Sequence, residues 1–440
     1  MCSAYIQRTI EPVLEAAASE FPAVVLTGPR QSGKTTVLKR LFGERFEYVS
    51  LEALDTRALA AEDPRAFLRL HKPPVIFDEV QQAPQLLPYI QELIDERREV
   101  NGRYILSGSQ NLLLLQHVSE SLAGRAAILK LLPLSLREWC GEPRRSLPWQ
   151  ASPGAEAGAP AASATPAAPA RATVACSELL ATPDALWQQL FRGLYPGLHA
   201  SPAPDWLRWQ QSYIETYLER DVRTIRQVGD LMTFQSFLRL LAARSGQILN
   251  MTGIATELGL TLNTVKAWIS VLLTSYQIIV LQPYHANLGK RLVKRPKVYF
   301  TDTGTLCYLV GLRDPLHAMQ GPMAGAVMET AVVAELTKAY LHVGDEPRLA
   351  FWRPARGAEV DVVAEDQLRL YPIEVKASAT PRPEMARGII ELARSLAATP
   401  FAAPRAEGVR PSLQPGYVVY AGDRVVPLGG GVTGLPLGSL

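Results

Sequence analysis

One eight-residue stretch constrains this chain more than any other feature. It reads Gly28-Pro29-Arg30-Gln31-Ser32-Gly33-Lys34-Thr35 and fits the phosphate-binding loop pattern G-x-x-x-x-G-K-[ST] in full. An apolar run at 23–26 precedes it and predicts a strand, and residues 36–41 predict a helix. Glycines let such a loop curl until its amides face a phosphate at the N-terminus of the helix. The loop from Gly28 to Thr36 is therefore predicted to bind the phosphates of a nucleotide.

Two side chains of this loop have specific predicted roles. Lys34 is expected to neutralise the β- and γ-phosphates, and the hydroxyl of Thr35 is expected to hold Mg²⁺. The predicted ligands of this site are therefore ATP and Mg²⁺.

A short apolar strand that ends in two acids supplies the second half of such a site. The run Pro73-Pro74-Val75-Ile76-Phe77 precedes Asp78 and Glu79 and is typical of a strand buried on both faces. Asp78 is predicted to bind Mg²⁺ through water, and Glu79 to polarise the attacking water. The alternative is an ordinary strand with a polar end. A third predicted strand, at 103–106, ends in Ser107-Gly108-Ser109-Gln110.

Composition bounds the class of protein without identifying a partner. The 440 residues exceed one ordinary core, so two to four domains are expected. A composition of 48% hydrophobic and 20% charged residues is normal for a globular protein, and a net charge of +3 favours no partner by itself. Cys2, Cys140, Cys176 and Cys307 form no C-x-x-C pair, which argues against a disulfide or zinc site and fits a reducing cytosol.

The location of the protein follows from two absences in the sequence. No apolar run reaches about 18 residues, so no membrane span is predicted. The first eight residues lack the basic and then apolar pattern of a secretion signal. We therefore expect a cytoplasmic protein that does not cross a membrane.

The chain divides into five predicted segments. The first alternates strand and helix as a doubly wound α/β domain does, and the second is too rich in Ala and Pro to bury a core. The third carries apolar residues at helical spacing, which indicates helices that pack inward. The segments are a phosphate-loop domain (1–140), a linker (141–182), a helical subdomain (183–245), a winged helix-turn-helix (246–300) and a C-terminal α/β domain (301–440).

The fourth segment has the pattern of a winged helix. Residues 252–258 and 263–273 predict two helices joined by a turn at Gly259, and two strand-like runs follow. Between those runs, five of the eight residues at 290–297 are cationic, as expected of a wing that lies along DNA phosphates. The alternative is a solvated loop on a module that binds only protein.

The C-terminal segment contains a second possible chemistry. Asp361 and the later Glu374-x-Lys376 have the spacing of a PD-(D/E)xK nuclease core, although no proline precedes Asp361. Glu374 and Lys376 would lie on one face of a strand. Two carboxylates would hold Mg²⁺ and Lys376 would activate water, with Glu329 on the preceding helix as a third acid. The pattern is short and common, and many domains with this fold only bind.

Taken together, the motifs resemble those of a large family of uncharacterised prokaryotic AAA ATPases. The motifs, in the order of the family, are the phosphate loop, Phe77-Asp78-Glu79-Val80-Gln81, Leu106-Ser107-Gly108-Ser109-Gln110, Leu122-Ala123-Gly124-Arg125, Leu132-Pro133-Leu134-Ser135, Glu219-Arg220-Asp221-Val222, Asp302-Thr303-Gly304 and Glu374-Val375-Lys376. The resemblance implies ATP binding and hydrolysis, a winged helix and a restriction-endonuclease-like C-terminal domain. It covers nearly all of the chain except the Ala/Pro-rich insert.

The resemblance also suggests roles for three further residues. In AAA ATPases a polar side chain at the end of the third strand senses the γ-phosphate, and Ser109 or Ser107 would do so here. Such ATPases assemble as rings, so Arg125, or with less support Arg223, would reach the nucleotide of a neighbouring copy. Either arginine is equally suited to a structural ion pair.

The sequence leaves three hypotheses open. The fold class is α/β: a P-loop AAA domain with a parallel sheet, then a helical subdomain, a winged helix and a PD-(D/E)xK-like domain. The first hypothesis is an ATPase that acts on DNA, including branched DNA. The second is an ATP-gated, metal-dependent nuclease, and the third is a nucleotide-dependent switch that binds a protein partner.

Overall fold

A computed structural model describes the chain at residues 5–109, 121–150, 176–180, 182–218, 231–284, 295–354, 359–398 and 412–440. Several sequence motifs fall outside these ranges. They include Gln110, the segment Glu219–Arg223 and residues 290–294 of the predicted wing. None of the helices in the described ranges combines the length and apolar character that a bilayer crossing requires.

The N-terminal segment forms a parallel five-stranded sheet. Its strands are β1 Ala23–Thr27, β2 Glu47–Ser50, β3 Val75–Asp78, β4 Tyr104–Gly108 and β5 Ala126–Lys130. They lie in the order β2-β3-β4-β1-β5, so β4 separates the strand before the phosphate loop from the strand that ends in two acids. This arrangement confirms the predicted parallel α/β domain.

Both faces of this sheet are buried, which explains the continuous apolar runs in the sequence. Along β1, Val25 packs into one hydrophobic cluster and Val24 into another on the opposite face. Phe77 and Ile76 divide in the same way along β3, as the period-two geometry of a strand requires. The helices of this domain are Glu11–Glu20, Lys34–Phe42, Leu54–Glu62, Pro64–Leu70 and Leu86–Asp95, and the short helix Leu136–Trp139 follows β5.

All but the last of the remaining described helices share one hydrophobic core with the C-terminal sheet. The last, Arg387–Ala398, places Ile389 and Leu392 in a separate cluster against the same sheet. Trp187, Phe237, Trp268, Val332 and Val362 all belong to a single cluster of buried side chains. The helices are Cys176–Leu179, Pro183–Arg192, Trp206–Tyr213, Leu231–Ala243, Met251–Leu258, Leu262–Thr274, Thr303–Leu309, Pro315–Gln320, Ala324–Leu341 and Arg387–Ala398, with a π-helical turn at Ile214–Leu218. The helical segment, the helix pair and the C-terminal α/β segment therefore fold around a common interior.

The helix pair at 251–274 has the local chemistry of a helix-turn-helix. Gly259 ends the first helix with a φ of 64°, a left-handed conformation that glycine adopts at little cost. Thr261 then caps the second helix, because its hydroxyl accepts a hydrogen bond from the amide of Thr264. Trp268 on the second helix packs edge-on against Phe234, with 5.1 Å between ring centroids.

The hairpin after the helix pair is continuous with the C-terminal sheet. Strands β6 Ile278–Pro283 and β7 Lys297–Phe300 pair antiparallel, and β6 also pairs parallel with β8 Leu349–Trp352. The other strands are β9 Val360–Asp366, β10 Arg369–Lys376, β11 Ser412–Leu413, β12 Gly416–Tyr420, β13 Val426–Gly429 and β14 Val432–Pro436. Their order is β13-β14-β12-β10-β9-β8-β6-β7, with β11 beside β10. The boundary predicted at residue 300 thus falls inside one sheet.

The ends of the Ala/Pro-rich segment differ from the prediction of an unstructured linker. Leu147 is buried, and Trp149 stacks on Tyr371 with 5.2 Å between ring centroids. Cys140 and Cys176 form a disulfide and both lie in the core. The expectation that the cysteines form no disulfide was wrong, because two cysteines far apart in sequence meet where the helix Leu136–Trp139 contacts the helix that follows the insert.

We expect the Cys140–Cys176 disulfide to stabilise the fold. Closing a loop with a sequence separation of 36 residues contributes up to about 4 kcal/mol through the entropy of the unfolded chain. Cys176→Ser should therefore lower the melting temperature without reductant, and dithiothreitol should bring the wild type close to the variant. Cys2→Ser is the matched control. Recovery of four free thiols from unreduced, denatured protein would contradict the pairing.

Candidate nucleotide-binding site

The phosphate loop begins at a position that only glycine can occupy. Gly28 follows β1 with a φ of 153°, and a Cβ atom there would lie 2.1 Å from the carbonyl oxygen of Leu131. Gly33 has a φ of 95° and caps the N-terminus of the helix Lys34–Phe42. Gln31 also has a positive φ, of 62°, and such strain in a non-glycine residue concentrates at functional sites. The local backbone is that of a loop wrapped around a helix N-terminus.

The loop holds its lysine through its own carbonyl groups. The ammonium of Lys34 is largely buried and donates to the carbonyl oxygens of Gly28, at 3.0 Å, and Pro29, at 2.9 Å. Six predicted nucleotide contacts line the adjacent cleft: Arg30, Gln31, Gly33, Lys34, Thr35 and Thr36. Gly28, Pro29 and Ser32 contribute backbone carbonyls to the hydrogen bonds that shape the loop.

Asp78 lies at the centre of a set of hydroxyl donors. Its Oδ2 atom accepts from the hydroxyls of Thr35 and Tyr48, each at 2.7 Å. Ser107 donates to Oδ1, and the backbone amide of Glu79 lies 3.1 Å from the same oxygen. Thr35 and Asp78 therefore meet, as predicted for two residues that hold one magnesium ion. Oxygen donors from a hydroxyl and a carboxylate suit Mg²⁺, so the residues present fit that ion.

Tyr48 is a member of this site that the motif search missed. Burial, together with its hydrogen bond to Asp78, raises the pKa of Tyr48 above its ordinary value, so its hydroxyl remains a donor. Lys39 lies over its ring, with Nζ 3.8 Å from the centroid. No motif marks Tyr48, because β2 comes beside β3 only through the fold of the sheet.

Glu79 is held beside Asp78 by the neighbouring strand and turn. Its φ of 57° is left-handed, and its Oε2 atom accepts from Ser109 Oγ at 3.1 Å and from the amide of Gln81. Because β4 lies next to β3, Ser107 and Ser109 reach the two acids separately. Ser109 thus lies beside Glu79, and its role in sensing the γ-phosphate stays a prediction.

The cleft over the phosphate loop has a volume of about 560 Å³ and walls from distant parts of the chain. The N-terminal residues Tyr5 and Ile6 line it, as do Leu134 after β5 and Pro196 in the helical segment. His199, also in the wall, has both ring nitrogens engaged: Trp139 Nε1 donates to Nδ1 at 3.2 Å, and Nε2 lies 2.9 Å from the carbonyl oxygen of Gly193. Burial lowers the pKa of His199. The sequence predicted only that the helical subdomain (183–245) packs inward, and did not predict that Pro196 and His199 line this cleft.

Arg8 connects the loop to the rest of the molecule. Its buried guanidinium donates to the carbonyl oxygens of Ser32 and Leu132, each at 2.7 Å, and lies 3.1 Å from Glu138 Oε2. Burial alone would raise the pKa of Glu138, but Arg8 and neighbouring donors hold it well below the usual range. On the other side, Glu138 Oε1 lies 3.2 Å from Nδ1 of His342, at the end of the helix Ala324–Leu341. A charge network thus runs from the phosphate loop to the C-terminal domain.

Arg125 makes the ion pair that was the alternative to a role at a neighbouring nucleotide. It binds Asp95 in a bidentate geometry, with both N–O distances at 2.8 Å, and this contact lowers the pKa of Asp95 to about 2. Arg125 also directly precedes β5, so it lies at the amino end of the sheet, whereas the phosphate loop lies at the carboxyl end of β1. Strands of five residues separate these ends by about 16 Å. Arg223 lies outside the described residues.

The nuclease-like residues form a second cluster in the C-terminal sheet. Asp361 Oδ2 accepts from the amide of Val375 at 2.8 Å, and Lys376 Nζ donates to Glu374 Oε1 at 2.6 Å. Glu329 accepts from Tyr299 at 2.6 Å and from Lys297 at 2.9 Å. Glu329, Asp361, Glu374 and Lys376 are therefore brought together as predicted. Lys297, which the sequence assigned to the basic wing, is buried in this cluster instead.

Fold and site together define a P-loop protein of the AAA class. Residues 20–140 match the model of the AAA domain, and residues 183–316 and 324–440 match two domains of unknown function, DUF8612 and DUF4143. The first domain is an ATP-binding ATPase domain of this type.

Two uncharacterized proteins, from Mycobacterium bovis and Mycobacterium tuberculosis, are each 30% identical to this chain over 383 residues. The aligned region covers 86% of this chain and 76% of each relative. The chain belongs to their family of uncharacterised AAA ATPases, in which it joins an AAA domain to a DUF4143 domain, and the resemblance inferred from the motifs is confirmed.

Solved structures show more distant likeness. A Walker-type ATPase of Pyrococcus abyssi is 15% identical, with a TM-score of 0.43, covering 69% of this chain and 96% of that one. The RuvB Holliday junction branch migration motor of Thermotoga maritima is 14% identical, with a TM-score of 0.25, covering 61% of this chain and 88% of that one.

Tyr48→Phe should raise the Mg²⁺ concentration that nucleotide binding requires while the fold is preserved. The change removes one hydrogen bond to a charged group, of about 1.5 kcal/mol, and retains the ring beside Lys39. We expect about a tenfold rise in the Mg²⁺ concentration for half-maximal ATP binding, measured with fluorescent ATP. Tyr89→Phe makes the same chemical change away from the cleft and is the control. Equal Mg²⁺ dependence in wild type and Tyr48→Phe would refute the assignment.

Proposed function

We propose that the protein is a Mg²⁺-dependent ATPase that uses ATP hydrolysis to remodel DNA. The observation that carries the proposal is the convergence of Thr35, Asp78 and Glu79 at the mouth of a phosphate loop. Thr35 comes from the phosphate loop and the two acids from the motif after β3, yet Thr35 and Asp78 share a hydrogen bond of 2.7 Å and Glu79 adjoins Asp78.

Each residue of the site has a defined task in this proposal. The loop amides and Lys34 bind the phosphates, and Thr35 and Asp78 hold the magnesium ion. Bound magnesium offsets negative charge that develops on the phosphates during transfer. Glu79 orients and polarises the attacking water, and Ser109 keeps the Glu79 carboxylate in place through their 3.1 Å hydrogen bond.

The remaining volume of the cleft suits the rest of a nucleotide. Tyr5, Ile6, Leu134 and Pro196 give it a largely apolar wall, which can pack against the planar base. Because this wall joins the N-terminal segment to the helical segment, nucleotide binding would hold these two parts of the chain together.

The helix pair is the part that we assign to DNA. On its second helix, Asn263, Lys266 and Ser270 are exposed and lie at helical spacing on one face. The opposite face, with Trp268, is buried in the core. A polar, exposed second helix fits the recognition position of a helix-turn-helix, where its N-terminal residues contact base edges. The cations Lys290, Arg291 and Lys294 of the predicted wing, which lie outside the described residues, are proposed to bind DNA phosphates.

Substitutions in the phosphate site should separate binding from turnover. Lys34→Ala should abolish or severely weaken ATP binding, because the loop loses its only cationic contact predicted for the β- and γ-phosphates. Glu79→Gln should still bind ATP and lose turnover by about a hundredfold or more, since the general base is removed. Labelled ATP and phosphate release measure these two effects.

The exposed residues Lys72 and Glu62 provide matched controls as Lys72→Ala and Glu62→Gln. Full turnover by Glu79→Gln would refute the assignment of the base. Binding of ATP by Lys34→Ala with unchanged affinity would refute the site itself.

DNA should stimulate ATP hydrolysis at low salt, since phosphate contacts weaken steeply as salt rises. We expect Lys266→Ala to require more DNA for half-maximal stimulation and to reduce the salt dependence by about one counterion. Turnover without DNA should be unchanged, and Lys72→Ala should behave as wild type. The assay compares duplex, single-stranded and branched DNA. No stimulation by any of them would contradict action on DNA and leave the ATPase assignment intact.

A further inference from the structure

Lys297 occupies the middle of the carboxylate cluster in the C-terminal sheet. Its Nζ atom lies 2.9 Å from Glu329 Oε1, 3.3 Å from Glu359 Oε1 and 3.9 Å from Asp361 Oδ1. Only 3% of the lysine side chain is exposed. The cluster therefore already contains a cation, which is contacted by one acid of the helix Ala324–Leu341 and two acids at and just before the start of β9.

Lys297 is not one of the residues of the nuclease-like pattern. It is the first residue of β7, which pairs with β6, and β6 joins the C-terminal sheet beside β8. In contrast, Asp361 and Glu374 lie on β9 and β10. A sequence pattern built on those two strands and Lys376 does not include β7.

The carboxylates are already engaged in ways that compete with metal coordination. Lys297 and Tyr299 both donate to Glu329 Oε1, while Val375 donates to Asp361 Oδ2 and Lys376 to Glu374 Oε1. A magnesium ion coordinates oxygen at about 2.0–2.1 Å, so one that bridged Glu329 and Asp361 would overlap the ammonium of Lys297. Among the described residues, no group of three or more His, Cys, Asp or Glu side chains is arranged to hold a metal ion.

The protonation states support the same arrangement. Burial and the neighbouring Asp361 raise the pKa of Glu374 to about 8. Burial opposes the charge of Lys297, but Glu329 and the other acids outweigh it and raise the pKa of the ammonium. The ammonium therefore stays charged among the acids that contact it.

We propose that the ammonium of Lys297 takes the place of a divalent cation in this cluster, so that the C-terminal domain binds no metal there and does not cleave phosphodiester bonds. The residues of the nuclease-like pattern do not fit a metal ion while Lys297 lies among them. The cluster instead acts as an internal ion pair that fastens the β6–β7 hairpin to the C-terminal sheet.

A Mn²⁺ titration of the full chain without nucleotide tests this proposal, with bound and free metal distinguished by electron paramagnetic resonance. The phosphate-loop site is the same in every variant, so its contribution cancels. We expect wild type and Asp361→Asn to bind the same amount of Mn²⁺. Lys297→Met should bind one further Mn²⁺ per chain, and Asp361→Asn in that background should abolish it. Lys72→Met is the matched control and should equal wild type.

Removal of a buried cation from among acids destabilises a protein, so Lys297→Met is first checked by thermal unfolding. If it does not fold, the double variant Lys297→Met with Glu359→Gln replaces it, because that variant removes one negative charge together with the positive one.

Two results would overturn the proposal. One is Mn²⁺ binding, or nicking of supercoiled DNA, by wild type that Asp361→Asn abolishes. The other is a folded Lys297 variant that gains no Asp361-dependent Mn²⁺. Should neither Lys297 variant fold, the comparison of wild type with Asp361→Asn decides the question. Loss of ATPase activity bears on the proposed function and not on this cluster, so the two can fail separately.

Discussion

The buried guanidinium of Arg8 is the contact on which the geometry of the nucleotide site depends. A buried charge is costly unless it is paired and hydrogen-bonded, and Arg8 meets both conditions with Glu138 and two carbonyl oxygens. One of those carbonyls belongs to Ser32 in the phosphate loop, and the other to Leu132 after β5. A shift of the loop would therefore leave either a charge or a carbonyl unpaired. The N-terminal segment, the loop and the end of the sheet are held in register by one side chain.

The helix Ala324–Leu341 joins the C-terminal domain to the segment of the ATPase domain that follows β5. His342 accepts from the amide of Leu132 at 3.2 Å, and Lys338 donates to the carbonyl oxygen of Leu134 at 2.9 Å. Glu335 accepts from the amide of Leu136 at 2.7 Å. All three come from the helix Ala324–Leu341 or its cap. Because these residues bind the segment that Arg8 also holds, a change at the loop has a short, packed and hydrogen-bonded route to the C-terminal sheet.

Local chemistry in the sequence predicted much of this structure, and long-range pairing explains what it missed. The phosphate loop and the acids after β3 follow from short motifs, and the two helices at 251–274 follow from periodicity and a glycine turn. Tyr48 and Arg8 reach the site only through the fold, so no spacing marks them. Cys140 and Cys176 pair across an insert that has no periodic pattern. The cationic run at 290–297 predicted a DNA-binding wing. Pairing of β7 with β6 instead places Lys297 among the acids of the C-terminal sheet.

The two acidic sites differ in the donors that face them, and this difference assigns their tasks. Within the described ranges, Asp78 accepts from the neutral hydroxyls of Thr35, Tyr48 and Ser107, which orient the carboxylate without adding a positive charge. This arrangement supports our proposal that a magnesium ion binds there. Asp361 and Glu329 face the ammonium of Lys297, so part of their charge is already offset from within the chain. Short motifs predict a metal site at both, whereas our two proposals distinguish them by the source of the positive charge: a bound ion at Asp78, and Lys297 at Asp361 and Glu329.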